Sequence, residues 1–267
     1  MKTVIAVYNE IRKVVSFFSK LLRFDKYKKS TGRKLAIPME ETVSLALFWK
    51  GNNIATKKSI HRIFNLKCSY KTLVVNLNRW YHLAMLVLIL VMKRNEKNQH
   101  LVKHIDSTDI PVCLFKNANA HKTMKGLASF GRSSKGTYFG LKMHLIADFR
   151  RKMLRVKFTS ANVDDRDLVI PMSKDLLGIL VGDAGYIKKK LQREFHEEEK
   201  RIFLAKPRKN MKILMTKFQQ ILYDSRALIE LNFRNLKMFH GLITSLPRSV
   251  DGYLANYIYS LLAYQIA

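Results

Sequence analysis

The spacing of apolar residues changes once along this chain, close to Leu101, and that change limits the folds open to it. Before Leu101, apolar residues recur at helical intervals, as in Val4–Phe24 and Met39–Lys50. After Leu101, shorter apolar runs appear, and the first half of Phe139–Asp148 alternates apolar with polar residues, which is typical of a strand. The sequence therefore predicts an all-α region over residues 1–98 and an α/β region over residues 99–267.

The α/β region has a definite order of predicted elements. In chain order we predict strands at Leu101–Ile105, Phe139–Asp148 and Arg155–Thr159, a helix at Asp165–Leu177, a strand at Ile179–Asp183, a helix at Ile187–His196, a strand at Arg201–Ala205 and a helix near Leu214–His240. This order predicts a mixed sheet with flanking helices. The connection Lys116–Lys135 is basic and contains glycines, so we expect a flexible loop that either contacts phosphate or is simply solvated.

The last of these helices carries four polar side chains of different chemistry on one face. They are Tyr223, Arg226, Glu230 and Lys237. At about 100° per residue the four positions fall within a sector of roughly 60°, beside an apolar row that would pack on the core. A carboxylate held among cations suits metal-assisted phosphate chemistry. A charged amphipathic helix with solvated side chains is the alternative that this segment alone leaves open.

Two aspartates follow predicted strands upstream of that helix. Asp106 follows the first strand, with Asp109 as the alternative, and Asp183 closes the fourth strand. Because sites in α/β sheets form at the carboxyl ends of strands, we expect both carboxylates to lie near Glu230. Each ionised pair would then be repulsive by about 3–4 kcal/mol at an effective dielectric of about 20, and divalent cations relieve that repulsion. Mg²⁺ takes such oxygen ligands, although either aspartate read singly is an ordinary turn residue.

The spacing Tyr-x2-Arg-x3-Glu-x6-Lys, from Tyr223 to Lys237, resembles the signature of the DDE transposases of bacterial insertion sequences. Asp106 in an Asp-Ser-Thr segment and Asp183 in a Gly-Asp-Ala-Gly-Tyr segment are similar to the first and second aspartates of that family. The resemblance covers roughly Leu101 to the C-terminus. It implies that the α/β region is a ribonuclease-H-like DDE catalytic domain.

The resemblance also implies a site and a reaction. Asp106, Asp183 and Glu230 would be the catalytic residues and would hold two Mg²⁺ ions, which Mn²⁺ can replace. The side chains that bind DNA phosphate would be Tyr223, Arg226 and Lys237. The chain would cut DNA at the ends of an insertion sequence and transfer the freed strand to target DNA.

The implied partner is double-stranded DNA, namely the terminal inverted repeats of the element and the target, bound by a homo-oligomer at the nucleoid in a bacterial cytoplasm. The charge agrees, because 49 Lys and Arg against 20 Asp and Glu give a net charge of +29, which favours a polyanion. A hydrophobic content of 48% predicts a packed enzyme and not a generic basic protein. Two alternatives stay open: a related nuclease that cuts without joining, and an inactive DNA-binding remnant of a mobile element.

The helical region contains a possible DNA-binding pair of helices. Lys57–Phe64 and Ser69–Tyr81 are separated by a short turn, which is compatible with a helix-turn-helix over residues 57–81, although many helical hairpins never contact DNA. The longest apolar run, Leu83–Met92, has ten residues. A bilayer requires about 20, so we expect a buried helix and no membrane partner.

Overall fold

The computed structural model describes residues 3–28, 31–32, 34–187, 191, 193–195, 201–207, 211 and 214–266. The chain forms two compact units. One consists of Met1–Val91 with Asn235–Ala267, and the other of Met92–Arg234. We refer to them as the helical unit and the sheet unit.

The elements in the described part of the chain are as follows. The helices are α1 (Val4–Leu21), α2 (Met39–Gly51), α3 (Lys57–Ile63), α4 (Tyr70–Lys97), α5 (Val169–Ser173), α6 (Lys217–Asp224), α7 (Ala227–Met238) and α8 (Val250–Ile266). The strands are β1 (Val102–Pro111), β2 (Ser129–Ser133), β3 (Gly136–Asp148), β4 (Met153–Ser160), β5 (Gly178–Gly182) and β6 (Arg201–Ala205). Short 3₁₀ turns lie at Phe24–Tyr27, Phe115–Asn117, Asp165–Leu168 and Ala184–Tyr186.

In the helical unit, α2 is the central helix and packs against α1 and α8. Every residue from Thr42 to Lys50 is buried, so most of α2 has no solvent-facing side. Most of α8 is buried as well, and the hydroxyl of Tyr259 in α8 donates a hydrogen bond to the carbonyl of Leu77 in α4 at 3.0 Å. The predicted element order omitted α8, because a helix that is apolar all round shows no amphipathic period.

The predicted pair of helices at 57–81 is present in part. α3 and the start of α4 occupy these positions, but α4 continues to Lys97 and includes the apolar run Leu83–Met92. By length and composition alone, α4 could cross a membrane. Core helices of soluble proteins meet the same criterion, and Leu73 and Leu83 are fully buried in this unit, so we assign α4 to its core.

The described residues before Val102 form helices and turns, as the sequence predicts for the first region. The proposed division into a DNA-binding region 1–98 and a catalytic domain 99–267 concerns function and stays a prediction. Compactness alone groups residues 235–267 with the N-terminal helices.

The sheet unit is built on a mixed sheet, with six strands in the described part of the chain. β1 pairs antiparallel with β3, where Asp106 lies opposite Leu145, and parallel with β5, where His104 lies opposite Val181. β6 pairs parallel with β5, while β2 and β4 pair with the first and second parts of β3. This arrangement confirms the α/β class and the mixed sheet.

Helices cover both faces of this sheet. On one face Ile105 of β1 packs in a cluster with Val169 of α5, and on the other face Val102 of β1 packs with Leu222 of α6. Because successive side chains of a strand point to opposite faces, Asp106 shares the α6 face with Val102. The fold therefore directs the first predicted aspartate toward the helices that carry the remaining predicted residues.

β1 is longer than predicted. Its ladder with β3 runs from the pair Lys103 and Asp148 to the pair Pro111 and Gly140. Asp106 therefore lies inside the strand, and the prediction that it ends the strand was wrong. Asp183 directly follows β5, as predicted.

The predicted flexible loop Lys116–Lys135 also differs from the structure. It contains β2, which forms a hairpin with β3, so that Ser133 lies opposite Gly136. Gly136 has a φ of 110°, a value that glycine adopts without a steric penalty and that allows the tight turn between the strands. Flexibility throughout the segment was the wrong prediction, because β3 supplies hydrogen-bond partners for this part of it.

Two predicted helices are interrupted or shortened, and half of a third lies outside the described residues. In place of a helix over Asp165–Leu177, a 3₁₀ turn leads into α5, which ends at Ser173. In place of one helix near Leu214–His240, α6 ends at Asp224 and α7 begins at Ala227. Of the predicted helix Ile187–His196, residues 191 and 193–195 are described as helical, and residues 188–190, 192 and 196 lie outside the described part of the chain.

Candidate active site

Asp106 is a half-buried carboxylate in the middle of β1. Its Oδ1 accepts a hydrogen bond from the Ser107 N–H at 2.8 Å, and its Oδ2 accepts one from Arg226 Nη1 at 2.8 Å. Burial raises the pKa of Asp106 to about 6, the charge of Arg226 opposes the rise, and the charges of Asp183 and Asp165 add to it. A carboxyl with a raised pKa is short of compensating positive charge.

Asp183 leaves β5 next to β1 and begins the 3₁₀ turn Ala184–Tyr186. Its Oδ1 accepts the Ala184 N–H at 2.5 Å, which fixes the side chain against the turn. The hydroxyl of Tyr223, from α6, donates to the same oxygen at 3.5 Å. The second aspartate is therefore close to the helix that bears the predicted signature.

Arg226 joins carboxylates from distant parts of the chain. Its Nη1 donates to Asp106 Oδ2 at 2.8 Å, and its Nη2 donates to Glu230 Oε1 at 2.6 Å. Burial lowers the pKa of Arg226, but the charges of Asp106, Asp183 and Glu230 raise it overall. The guanidinium is the cation around which these three carboxylates gather.

Arg226 lies in a turn between α6 and α7 and not inside a helix. Its N–H donates to the carbonyl three residues earlier at 3.0 Å, the bonding pattern of a 3₁₀ turn. The preceding hydroxyl, Ser225 Oγ, donates to the Leu222 carbonyl at 2.6 Å and lies 2.8 Å from His104 Nε2. A serine bonded to a preceding carbonyl bends a helix, which explains why the predicted continuous helix is interrupted.

Glu230 and Lys237 lie further along, in α7. Glu230 is in the first turn, with 58% of its side chain exposed, and Lys237 is in the last turn and half-buried. Hydrogen bonds and ion pairs join Arg226 to Asp106 and Glu230, and Tyr223 to Asp183. Lys237 shares a helix with Glu230 but stands about 10 Å further along it, from the rise of seven helical residues.

Asp165 is a further carboxylate near Asp106 that sequence reasoning missed. Its Oδ2 accepts a hydrogen bond from Ser107 Oγ at 2.8 Å, and its Oδ1 forms an ion pair with Lys142 Nζ at 2.8 Å. The run Asp164-Asp165-Arg166-Asp167 was available as a signal. At the start of a predicted helix such carboxylates ordinarily complement the helix dipole, whereas the structure makes Asp164 the N-cap of a 3₁₀ turn and brings Asp165 to Ser107.

No group of three or more His, Cys, Asp or Glu side chains in the described part of the chain is arranged to hold a metal ion. The Arg226 guanidinium forms ion pairs with both Asp106 and Glu230. The residue types nevertheless fit a divalent cation. Three carboxylates supply the oxygen ligands that Mg²⁺ prefers, and the raised pKa of Asp106 shows a demand for more positive charge.

The chain is similar to one family model and, weakly, to several solved structures. A family model described as transposase DDE domain matches residues 96–249. No curated protein matches the chain. Solved structures with weak similarity include the Mos1 mariner paired end complex with Mn, at 12% identity and a TM-score of 0.27, covering 98% of this chain and 90% of that one. The Mos1 Strand Transfer Complex is 14% identical with a TM-score of 0.26, covering 90% and 81% respectively, and similarity at this level carries no argument.

The family match does carry an argument, because it covers more than half of the chain. It begins just before β1 and ends just before α8, so it includes every strand of the sheet. It also includes Asp106, Asp183 and Glu230. The chain therefore belongs to the transposase DDE domain family.

Proposed function

We propose that this protein is an active transposase that cuts DNA at the ends of an insertion sequence and joins the freed strand to target DNA. One observation carries the proposal. Residues that lie far apart in the sequence converge on one spot, where Arg226 contacts Asp106 and Glu230 while Tyr223 contacts Asp183. In a member of this family, such convergence is the arrangement that the chemistry requires.

Asp106, Asp183 and Glu230 would hold the divalent ions, Mg²⁺ in the first place and Mn²⁺ as a substitute. When bound, a pair of such ions activates the attacking oxygen of a phosphodiester exchange and stabilises the leaving oxygen. Asp106 has to be ionised for this role, which its pKa of about 6 permits at neutral pH. Arg226 has to release at least one carboxylate, and its guanidinium is then available for a phosphate of the DNA strand.

The remaining predicted residues would position the strand. Arg226 offers a planar fork of donors to a phosphate, Lys237 offers a point charge, and the Tyr223 hydroxyl can donate a hydrogen bond. Arg226 leaves its carboxylates only if the incoming charges compensate both groups. In this proposal metal and DNA therefore favour each other's binding.

The substrate in this proposal is double-stranded DNA, both the terminal inverted repeats of the element and the target, engaged by more than one copy of the chain in the bacterial cytoplasm. The net charge of +29 supports a polyanionic partner. The helix pair α3 and α4 would contribute to DNA binding, supported by Arg62, Lys71 and Arg79 along these helices. A ribonuclease-H-like core is the fold proposed for the sheet unit.

The test is a cleavage and joining assay on a labelled genomic fragment that carries the gene with both flanks. With Mg²⁺, the wild-type protein is expected to release the element ends and to join them to a plasmid. Cleavage without joining would identify the related nuclease instead. DNA binding without cleavage in either Mg²⁺ or Mn²⁺ would identify an inactive remnant.

A further inference from the structure

The helical unit contains a cavity of about 720 Å³ that the proposed function does not use. Small-molecule sites commonly measure about 300–1,000 Å³, so this cavity has the size of a ligand site. Its wall comes from the end of α2, the starts of α3 and α4, the segment after α7 and the start of α8. All of these segments belong to the helical unit.

The charged side chains in the wall of this cavity are all cationic. Its cationic side chains are Lys50, Lys57, Lys58 and Arg248, and the described residues that line it include no Asp or Glu. Lys50 is 4% exposed, and its ammonium donates to the Gly241 carbonyl at 2.9 Å and to Asn256 Oδ1 at 2.5 Å. Lys57 Nζ donates to Asn78 Oδ1 at 3.3 Å. Both ammonium groups therefore face neutral oxygens.

The buried ammonium of Lys50 and the half-buried ammonium of Lys57 have no counter-ion in the described part of the chain. Burial, together with the charge of Lys57, lowers the pKa of Lys50 to about 7, and burial also lowers the pKa of Lys57. Burying an unpaired ammonium is unfavourable, and a bound anion would remove that penalty. The geometry and the charge together point to an anionic ligand.

The site is shaped around Lys50. Gly241 has a φ of 55°, and a Cβ at this position would stand 3.1 Å from Lys50 Nζ, so the glycine leaves room for the ammonium. Beyond the cations, the wall includes the apolar side chains of Ile54, Val74 and Leu246. An inorganic anion would leave this apolar wall uncovered, whereas the flat ring of a nucleobase would cover it.

We propose that this cavity binds a nucleoside monophosphate unit, with its phosphate beside Lys50 and Lys57 and its base against the apolar wall. This unit occurs as a free nucleotide and as an unpaired nucleotide of a DNA strand. The site lies in a different unit from the carboxylates and goes beyond the proposed function. It does not depend on catalysis by Asp106, Asp183 and Glu230.

The test is calorimetric titration of the full-length protein with dAMP. Saturable binding is expected, and deoxyadenosine should bind at least about tenfold more weakly because it lacks the charged hydrogen bonds of the phosphate. Lys57→Gln and Lys50→Met should each weaken dAMP binding about tenfold. Lys67→Gln is the matched control, because it removes one exposed charge of the same unit outside the cavity and should leave binding unchanged.

A second readout separates this cavity from a general basic surface. Because the pKa of Lys50 is about 7 and the phosphate favours the ammonium, binding at about pH 8 should take up a proton. The binding enthalpy should then vary with the ionisation enthalpy of the buffer. Lys57 and His240 also face Lys50, so the dependence should shrink in Lys50→Met and persist in Lys67→Gln.

Competition then identifies the source of the nucleotide. If a duplex with one unpaired 5′ nucleotide displaces dAMP better than the blunt duplex does, the ligand is part of a DNA strand. If neither duplex displaces dAMP, the ligand is a free nucleotide. Both results support the site.

Three results would overturn the proposal: no saturation at millimolar dAMP, equal affinity for dAMP and deoxyadenosine, or wild-type affinity in folded Lys57→Gln. Thermal unfolding reports whether each variant folds. Lys57 is less buried than Lys50, so Lys57→Gln keeps the test decisive if Lys50→Met does not fold.

Discussion

The candidate active site and the basic cavity bury charge in opposite ways. Around Arg226 the protein supplies its own cation, so three carboxylates share one guanidinium. In the cavity, Lys50 and Lys57 have amide and carbonyl oxygens as partners and no carboxylate among the described lining residues. In the first region, the ion pairs of Arg226 can persist until a metal ion takes over the carboxylates and a phosphate takes over the guanidinium. The second region needs an anion from outside the chain.

The largest expected effect is the loss of strand cleavage when a carboxylate of the active site becomes an amide. Asp106→Asn, Asp183→Asn and Glu230→Gln each remove a negatively charged oxygen ligand with little change in shape. We expect the cleavage rate to fall by more than about 100-fold while DNA binding persists. Mutating residues that only orient a metal ligand typically lowers activity by about 10–100-fold, and loss of the ligand itself should have a larger effect. Gel-shift and cleavage assays on the same preparations measure both quantities.

The control for these variants is Asp224→Asn, because Asp224 is exposed at the end of α6 and accepts a hydrogen bond from Gln220 Nε2 at 2.7 Å. It should cleave like the wild type. Cleavage at the wild-type rate by Asp106→Asn, Asp183→Asn or Glu230→Gln would remove that residue from the site.

A smaller effect should distinguish Arg226 from Lys237. Both alanine variants should raise the DNA concentration needed for cleavage, by about 10–100-fold for Arg226→Ala and less for Lys237→Ala. Arg226→Ala should also lower the Mg²⁺ midpoint, because the guanidinium competes for Asp106 and Glu230. Lys237→Ala should leave the midpoint unchanged. Equal midpoints for Arg226→Ala and the wild type in a Mg²⁺ titration at saturating DNA would mean that the guanidinium does not compete.

Stability against pH should show the contrast between the two regions directly. The pKa of Asp106 is about 6 in the folded protein, above its ordinary value of 3.8, so the folded state loses stability as pH rises from about 4 to 6. In metal-free protein, Asp106→Asn should therefore stabilise the fold by about 3 kcal/mol at neutral pH and by little below about pH 4.

Lys50→Met should show the opposite trend. The pKa of Lys50 falls from 10.5 to about 7 on folding, so its penalty is complete below about pH 7 and disappears as pH rises toward 10.5. Urea unfolding from about pH 4 to about pH 10.5 measures how the stabilisation by each variant changes with pH. If the stabilisation changed in the same direction with pH for Asp106→Asn and Lys50→Met, the proposed contrast between the two regions would be wrong.

The smallest effect concerns the bend that holds Arg226. Ser225→Ala removes the partner of His104, whose pKa burial lowers to about 4, so a neutral buried imidazole would lose its hydrogen bond. We expect Ser225→Ala to lower the unfolding free energy by about 1 kcal/mol. In a protein that already carries Ser225→Ala, adding Arg226→Ala should change the Mg²⁺ midpoint less than it does in the wild type. Ser134→Ala, at an exposed hairpin position, is the control and should change neither quantity.

The sequence predicted which residues come together better than it predicted their local structure. Asp183 was placed correctly, because a short apolar run followed by Gly-Asp-Ala-Gly marks a strand and its turn. Asp106 was placed at a strand end because polar residues follow it, yet pairing with β3 keeps the strand going. The turn at Arg226 depends on a contact between Ser225 and His104 that no local pattern records.

The basic cavity could not be predicted from local sequence patterns either, because it too depends on contacts between residues far apart in the chain. Its wall combines residues 49–78 with residues 240–256, and the second group follows the whole sheet unit in the chain. Local spacing predicted α2 but gave no sign of its partner α8, which has no amphipathic period. Lys50 looked like the ordinary basic end of a helix, and it becomes unusual only when α8 covers it.

The packing of α2 against α8 also determines when the helical unit can fold during translation. α2 ends at residue 51 and α8 begins at residue 250, so the ribosome makes about 200 residues between them. At about 5–20 residues per second, α8 is made roughly 10–40 s after α2. The whole sheet unit is synthesised in this interval. A nascent chain can therefore hold a finished β-sheet while its central helix is uncovered. The helical unit can complete its core only after α8 has been made, and a copy terminated before Val250 lacks that part of the core.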